Sequence, residues 1–137
     1  VLMNLLAAQP TALHLWNRTP ATAKTLAQKF DGPLLAVATS DLESASDIII
    51  NVTSAGLSSR VPDIPRRVIG PHSCCYDMVY GATQTSFIHW CLQSGPQATS
   101  DGLGMLVEQA ALAFELWFDH RVDTLPVRHL LRPTSLS

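Results

Sequence analysis

The sequence predicts an α/β domain whose parallel sheet is covered by helices on both faces. Short hydrophobic runs alternate along the chain with segments in which apolar residues recur at helical spacing, a pattern typical of parallel strands joined by helices. One run, at residues 47–52, contains three consecutive isoleucines, which predicts a parallel strand buried on both faces. The 137 residues, of which 47% are hydrophobic, suffice for one domain with a core.

The part of the chain before residue 53 is predicted to alternate between helices and strands. The predicted elements are a helix at 1–8, a strand at 11–16, a helix at 20–30, a strand at 34–37, a helical turn at 39–44 and a strand at 47–52. The first helix stops before Pro10. Pro20 suits a first helical turn, where its missing N–H costs nothing, and Thr19 precedes it as N-cap. Ser40 and Glu43 fit a capping box for the turn. The apolar face of the helix at 20–30 consists of Ala23, Leu26, Ala27 and Phe30.

The rest of the chain continues the alternation and ends in two helices. After a loop-rich segment at 53–69, the predicted elements are a strand at 73–79, a helix at 85–94, a strand at 97–99, a helix at 103–118 and a helix at 124–131. No linker or internal repeat interrupts the pattern, so residues 1–137 are expected to form a single domain. Its parts are a strand and helix core at 1–100, C-terminal helices at 101–131 and a tail at 132–137.

Composition and charge exclude several classes of function. The net charge of −2 excludes a general nucleic-acid surface, and no apolar run reaches the length of about 18 residues that spans a membrane. The histidines show no metal-ligand spacing. Cys74, Cys75 and Cys91 form no C-x-x-C pair, and free thiols are typical of the reducing cytoplasm. We therefore expect a cytoplasmic protein without a metal site and without a nucleic-acid or membrane partner.

Polar residues follow the predicted strands at the points where ligands bind in parallel α/β folds. In such folds the ligand lies in a crevice outside the carboxyl ends of the strands. Four clusters occupy these positions, at residues 17–19, 51–54, 77–80 and 101–102. Because they converge on one edge of the predicted sheet, they indicate a ligand site more strongly than any one cluster does.

The first cluster consists of Asn17, Arg18 and Thr19 and lies between a predicted strand and a predicted helix. An arginine offers planar donors for a phosphate, and a threonine at a helix N-terminus adds a hydroxyl and a backbone N–H. An NAD-binding domain usually has Asp or Glu at the place of Asn17, whereas Asn17 beside an arginine favours the 2′-phosphate of NADP. A capped helix with a solvated arginine explains the same residues equally well.

The other three clusters each have a structural and a functional interpretation. The hydroxyls of Thr53 and Ser54 can line a cofactor crevice, although a polar turn after a buried strand is the commoner explanation. Met78 can lie flat against an aromatic ring, but methionine more often only packs, while Tyr80 can bond a polyol. Gly102 either permits close backbone approach to a ligand or forms an ordinary turn before a helix.

Taken together, these clusters resemble the NADP-binding domain of the shikimate dehydrogenases over nearly the whole chain. The resemblance is carried by NRT at 17–19, DIIINVTSAGL at 47–57, YDMVY at 76–80 and DGLGMLVEQAALAFELW at 101–117. The last two blocks, in this order and spacing, are the most specific. The resemblance implies a Rossmann-like fold and a reversible hydride transfer between NADPH and 3-dehydroshikimate, which gives shikimate.

The resemblance also implies roles for individual residues. The residues implied to bind NADP are Asn17, Arg18, Thr19 and Thr22 at its adenosine end, Thr53 and Ser54 along the crevice, and Met78, Gly102 and Met105 at its nicotinamide half. The residues implied to reach shikimate are Tyr80 and Gln109.

The chain departs from the family pattern in ways that bear on the cofactor and the chemistry. The family usually has a second basic residue four positions after the arginine, where this chain has Thr22; Lys24 follows two residues later. By the resemblance, we expect the family's glycine-rich phosphate loop and first strand to lie just before Val1, outside the given sequence. The same holds for the N-terminal substrate domain, which carries the family's Lys and Asp pair that handles the proton. The resemblance therefore implies an N-terminally truncated NADP-binding domain with no catalytic residue of its own.

Two alternative functions stay open at this point. The chain is alternatively a non-catalytic dinucleotide-binding or assembly module, or part of an NAD-preferring quinate/shikimate dehydrogenase. The latter typically carries an acidic residue near Asn17, and none is present. Because a truncated sheet has an open edge and residues 1–8 have an apolar face, we also expect self-association. The oligomeric state itself does not follow from the sequence.

Overall fold

A computed structural model of the chain describes residues 1–53, 60–81 and 83–131. It forms two compact units, the first made of residues 1–45 and 63–68, and the second of the described residues within 46–62 and 69–137. Each unit contains parallel strands connected through helices. The predicted α/β class with parallel strands is therefore confirmed. The predicted tail at 132–137 lies outside the described residues.

The first unit is built on two parallel strands. Its elements are helix α1 (Leu2–Ala7), strand β1 (Leu13–Leu15), helix α2 (Pro20–Ala27), strand β2 (Leu34–Ala36) and 3₁₀ turns at Thr39–Asp41 and Arg66–Val68. Leu13 lies opposite Leu34, and Leu15 lies opposite Ala36. The predicted helices and strands of this unit are confirmed, each one to three residues shorter than expected. β1 thus leads directly into the segment at 16–19 and the start of α2.

The second unit contains a three-stranded parallel sheet in the order β3-β4-β5. Its elements are β3 (Ile48–Asn51), β4 (Cys74–Asp77), helix α3 (Ser86–Leu92), β5 (Ala98–Ser100), helix α4 (Leu103–Phe118) and helix α5 (Leu125–Leu131). Asn51 lies opposite Asp77, and Tyr76 lies opposite Ser100. Because all three strands run in one direction, the segments that follow them lie at the same edge of this sheet.

The sequence of α2 explains where the helix begins and which face it buries. Pro20 is its first residue, a position that needs no N–H. Thr19 has the extended backbone of an N-cap, with φ −103° and ψ 100°. Ala23 is buried, and the other members of the predicted apolar face are half-buried. The periodicity of the sequence therefore identified the packed face correctly.

β3 is less buried than its isoleucines predict. Ile48 is 63% exposed, and Val52 just beyond the strand is 56% exposed. The prediction of a strand buried on both faces is therefore wrong for β3. Among the described strands only β4 pairs with it, so β3 is an edge strand of its sheet. A continuous apolar run does not by itself distinguish an edge strand from a central one.

The core of the second unit lies where α3 packs against β4. Phe87 and Cys91 of α3 are fully buried, and Ile88 and Cys75 are nearly so. The cysteines are free thiols. Burial raises the pKa of the Cys75 thiol, which disfavours the reactive thiolate form.

The turn after β2 is closed differently from the prediction. Asp41 Oδ2 accepts a hydrogen bond from the Ala38 N–H at 2.9 Å, and the Ser40 hydroxyl donates to Asp41 Oδ1 at 3.0 Å. These bonds lower the pKa of Asp41, the bond from Ala38 more than the one from Ser40. The predicted capping box of Ser40 and Glu43 is wrong, because the turn is three residues long and ends before Glu43.

Much of the surface of α4 is apolar and exposed. Val107 is buried, whereas Leu116 is 82% exposed and Trp117 is 74% exposed. Helix α1 buries none of its residues. The apolar surface predicted for residues 1–8 is therefore present, and self-association stays a prediction. Within the described ranges, no helix has the length and apolar character needed to cross a membrane.

Candidate functional site

In the first unit, Asn17, Arg18 and Thr19 lie at the N-terminus of α2. Asn17 is half-buried, and its Oδ1 accepts a hydrogen bond from the Thr19 N–H at 2.8 Å, which fixes the turn into the helix. Arg18 and Thr19 are exposed, and the Thr19 hydroxyl makes no capping bond. The segment thus offers a guanidinium and a hydroxyl at a helix N-terminus, a set of donors that fits a phosphate.

The two candidates for a further phosphate contact lie in different turns of α2. Thr22 belongs to the first turn, and its N–H donates to the Thr19 carbonyl at 3.0 Å. Lys24 belongs to the last turn, about 7 to 8 Å further along the axis than Thr19 at the rise of an α-helix. Position 22 is therefore nearer to the helix N-terminus, and it carries no charge.

A hydrogen bond that sequence reasoning missed anchors the end of β1. The Trp16 indole N–H donates to Thr39 Oγ1 at 2.9 Å, and the Thr39 hydroxyl donates to the Asp63 carbonyl at 3.5 Å. The residue before Asn17 is thereby tied to the turn after β2. A partly buried tryptophan needs a partner for its N–H, so the sequence signals that a bond exists without naming the acceptor.

In the second unit, a buried carboxylate connects two strand ends with the start of α3. Asp77 is fully buried (0% exposed). Its Oδ1 accepts hydrogen bonds from Asn51 Nδ2 at 3.0 Å and from the Val79 N–H at 3.1 Å. Its Oδ2 accepts one from the Thr85 hydroxyl at 2.6 Å, and Thr85 Oγ1 caps α3 by accepting from the Ile88 N–H at 3.3 Å. Three donors satisfy the carboxylate, which makes its burial tolerable.

Asn51 extends these hydrogen bonds into the loop after β3. Asn51 is 4% exposed. Its Oδ1 accepts hydrogen bonds from the Thr53 N–H at 3.1 Å and from the Thr53 hydroxyl at 2.8 Å. The half-buried Thr53 is therefore held against the end of the strand, as in the predicted polar turn. Ser54, predicted beside it as a cofactor contact, lies outside the described residues.

The segments after β4 and β5 meet at Gly102. The Gly102 N–H donates to the Val79 carbonyl at 3.2 Å. A Cβ on Gly102 would overlap the Met78 carbonyl, although its φ of −74° is one that any residue can adopt. Close packing of two backbone segments therefore requires the glycine. Beside it, Met78 is half-buried and Tyr80 is 48% exposed.

Two further predicted contacts lie on α4, which begins directly after Gly102. Met105 is half-buried and belongs to the first turn, whereas Gln109 is exposed. Residues four apart share one face of a helix, so Met105 and Gln109 form a short stripe that starts next to Gly102. The structure thus places Gly102 against the Met78 backbone, Met105 in the first turn of the helix that follows, and Gln109 one turn further along.

Two cavities of the second unit contain none of the predicted site residues. One of about 650 Å³ lies beside α3 and is lined by residues that include His89, Trp90 and Gln93. The other, of about 250 Å³, is lined by residues that include Asp101, Gly104 and Arg128. In the part of the chain that the structure describes, no three His, Cys, Asp or Glu side chains are grouped for a metal ion.

A protein-family model matches the part of the chain that begins at Gly102. Residues 102–132 match the model described as the Shikimate 5'-dehydrogenase C-terminal domain. The match includes Met105 and Gln109, and it is independent of the blocks at 17–19 and 76–80.

Nearly the whole chain is similar to proteins named as shikimate dehydrogenases. It is 46% identical to Shikimate dehydrogenase (NADP(+)) of Thioalkalivibrio sulfidiphilus, over 97% of this chain and 50% of that protein. An Ael1 enzyme from Pseudomonas putida superposes with a TM-score of 0.84 at 35% identity, over 96% of this chain and 49% of that one. The shikimate 5-dehydrogenase of Thermus thermophilus, solved with NADP(H) and shikimate, superposes with a TM-score of 0.71 at 31% identity, over 86% and 44%. The chain spans about half the length of the curated relatives it matches.

Proposed function

Because the chain belongs to the shikimate dehydrogenase family, we propose that it is the NADP-binding part of an enzyme that reduces 3-dehydroshikimate to shikimate with NADPH. The observation that carries the proposal is 46% identity over 97% of the chain to a protein named for this reaction and this cofactor. The reaction belongs to the shikimate pathway of aromatic amino acid biosynthesis. Since the chain spans about half of that relative, we assign the activity to the protein encoded by the complete reading frame.

We assign the adenosine end of NADP to the first unit. Arg18 is exposed at the N-terminus of α2, where its guanidinium can bond a 2′-phosphate in bidentate fashion and stack on adenine. Asn17 fixes the turn through its bond to the Thr19 N–H. The Thr19 hydroxyl, which makes no capping bond, and the Thr22 hydroxyl are proposed as further phosphate donors.

We assign the nicotinamide half of NADP to the second unit. Thr53 and Ser54 border the cofactor in this proposal, and Met78, Gly102 and Met105 contact its nicotinamide half. Tyr80 and Gln109, both exposed, are available to hydroxyl groups of shikimate. The support for this assignment is the common edge of the sheet from which these residues start, since ligands of parallel α/β folds bind there.

The division of chemistry follows from these assignments. NADPH supplies the hydride when bound, and the residues of this chain bind and orient it. We assign no proton-transferring residue to the chain, so this role falls to the substrate domain of the whole enzyme. The free thiols at Cys74, Cys75 and Cys91 support a cytoplasmic location, because oxidising compartments favour disulfides.

The proposal is tested with the protein expressed from the complete reading frame. Shikimate-dependent reduction of NADP⁺, followed by NADPH absorbance, is the expected activity. Quinate in place of shikimate, and NAD⁺ in place of NADP⁺, are the matched controls. Activity that is higher with quinate and NAD⁺ would replace the proposal with the quinate enzyme. Dinucleotide binding without any oxidation of either polyol would instead indicate a non-catalytic binding module.

A further inference from the structure

We propose that Asn51 and Asp77 are positioning residues, which hold Thr53, after β3, and Met78, after β4, in one geometry suited to hydride transfer. The inference rests on the proposed function, because that function assigns Thr53 and Met78 to the cofactor. Neither Asn51 nor Asp77 touches the cofactor in the proposed assignment. Both act through the residues that they bind.

The inference starts from an unbroken path of hydrogen bonds between the ends of β3 and β4. The N–H and hydroxyl of Thr53 donate to Asn51 Oδ1 at 3.1 and 2.8 Å. Asn51 Nδ2 donates to Asp77 Oδ1 at 3.0 Å, and the Val79 N–H donates to the same oxygen at 3.1 Å. The path thus runs from Thr53 to Val79, the residue that follows Met78.

The backbone repeats the connection that the side chains make. The Met78 N–H donates to the Asn51 carbonyl at 3.0 Å, and the Gly102 N–H donates to the Val79 carbonyl at 3.2 Å. Asn51 and Asp77 face each other in the register of β3 and β4. The backbone thus sets the distance between the two strand ends, and the side chains fix how Thr53 and the residues after Asp77 leave them.

A carboxylate is a costly group for a purely structural contact. Asp77 is fully buried, and burying a carboxylate costs free energy unless every lone pair is well satisfied. Apolar residues that replace a complete buried ion pair are often equally or more stable in other proteins, so burial of a charge does not by itself indicate a stabilising role. The carboxylate provides directional hydrogen bonds instead. It holds three donors at once, one at the end of β3, one in the segment after β4 and one at the cap of α3.

The test compares two variants of the protein expressed from the complete reading frame. Asn51→Leu removes both the acceptor for Thr53 and the donor to Asp77 at a similar side-chain volume, which breaks the path at its centre. Thr85→Val is the matched control, because it removes a different bond to Asp77 and leaves the path from Thr53 to Val79 intact. Both variants lose stability, so their rates are compared well below their melting temperatures.

The expected result is a loss of kcat that is specific to the broken path. Asn51→Leu lowers kcat for shikimate oxidation by about 10- to 100-fold, since a misplacement of about 1 Å of the reacting groups can cost this much. The KM for shikimate changes by less than about 3-fold, and Thr85→Val keeps kcat within about 3-fold of the wild-type value.

Each failure has a separate meaning. If Asn51→Leu does not fold, Asn51→Ser takes its place with the same expected loss of kcat, because the short serine side chain cannot reach Asp77. A folded variant with wild-type kcat overturns the inference, and so does an equal loss of kcat in Thr85→Val at an equal loss of melting temperature. A wild-type protein that does not oxidise shikimate overturns the proposed function, and the inference falls with it.

Discussion

The segment at residues 17–19 and the pair Asn51 and Asp77 hold their polar groups in place by different means. In the first, one local hydrogen bond between Asn17 and the Thr19 N–H fixes the turn, while Arg18 and Thr19 are exposed. In the second, both side chains are at least 96% buried and bond to each other across 26 residues of sequence.

The difference indicates that the affinity for the cofactor and the stability of the fold depend on different residues. Exposed residues with local bonds can be exchanged at little cost in stability, because surface substitutions rarely change the free energy of unfolding much. Buried residues with bonds between elements cannot be exchanged without changing both the fold and the geometry of the loops. Cofactor preference should therefore depend on the first unit, and the precision of the nicotinamide end on the second.

The largest expected effect is a loss of stability in Asp77→Ala. The substitution leaves the Asn51 amide, the Val79 N–H and the Thr85 hydroxyl without their acceptor. Each buried donor left unsatisfied costs about 1 to 3 kcal/mol, so the free energy of unfolding falls by at least about 3 kcal/mol in denaturant titrations. Asn17→Ala, which removes one exposed bond, should cost about 1 kcal/mol or less. Equal costs would remove the contrast between the two regions.

Gly102→Ala should destabilise the protein by about 1 to 3 kcal/mol, because overpacked sites in folded proteins cost this much. Its Cβ would overlap the Met78 carbonyl, and backbone atoms cannot rotate away. Gly104→Ala is the control, since its Cβ would lie at an ordinary 3.6 Å from Arg128 Nη2 and alanine favours the helix. Thermal melts of the two variants decide the matter, and a neutral Gly102→Ala would show that the two segments are loosely packed.

Thr22→Arg tests whether exposed residues at the N-terminus of α2 determine the affinity for NADPH. It supplies a second cation in the first turn of α2, and we expect NADPH to bind about 10-fold more tightly while NADH binding stays unchanged. A cation at a helix N-terminus opposes the helix dipole, so stability falls by less than about 1 kcal/mol. Lys24→Ala should leave the affinity for NADPH nearly unchanged. Fluorescence titrations with both nucleotides measure these effects, and a clear loss in Lys24→Ala would assign the second cation to Lys24.

The smallest expected effect is a pH dependence of stability that arises from Tyr76 in β4. Burial, followed by the negative charges of Asp101 and Asp77, raises the pKa of Tyr76. The fold therefore favours the neutral phenol, and this contribution to stability is complete below the ordinary tyrosine pKa of about 10. It is lost as the pH rises through the pKa of the folded state. Melting temperatures measured across this range should fall less steeply in Tyr76→Phe, and parallel curves would contradict the assignment.

The order and type of the elements could be predicted from the sequence because both depend on local periodicity. The bounds predicted for α4 are the observed ones, and the apolar face of α2 follows from the spacing of Ala23 and its neighbours. The position of a strand at the edge of a sheet cannot be predicted from local periodicity, because it depends on which strands pair. The burial predicted for β3 was wrong for this reason.

The candidate site could be predicted residue by residue but not as a set of bonds. Arg18 and Thr19 are recognisable because residue type and position suffice to suggest a phosphate contact. The bond between Asn51 and Asp77 depends on the register of β3 against β4, which no local pattern encodes. The glycine at position 102 was visible, but its reason, the nearby Met78 carbonyl, exists only in three dimensions.

The central claim is that an exposed arginine at the start of α2 selects NADP without contributing to the fold. Binding of adenosine 2′,5′-bisphosphate and of AMP to the protein from the complete reading frame tests it most directly, since these probes report on the adenosine end alone. We predict that the bisphosphate binds more tightly, and that Arg18→Ala weakens it by about 10- to 100-fold while AMP binding and the melting temperature stay unchanged. Equal affinity of the wild-type protein for both probes, or a melting temperature lowered by Arg18→Ala, would contradict it.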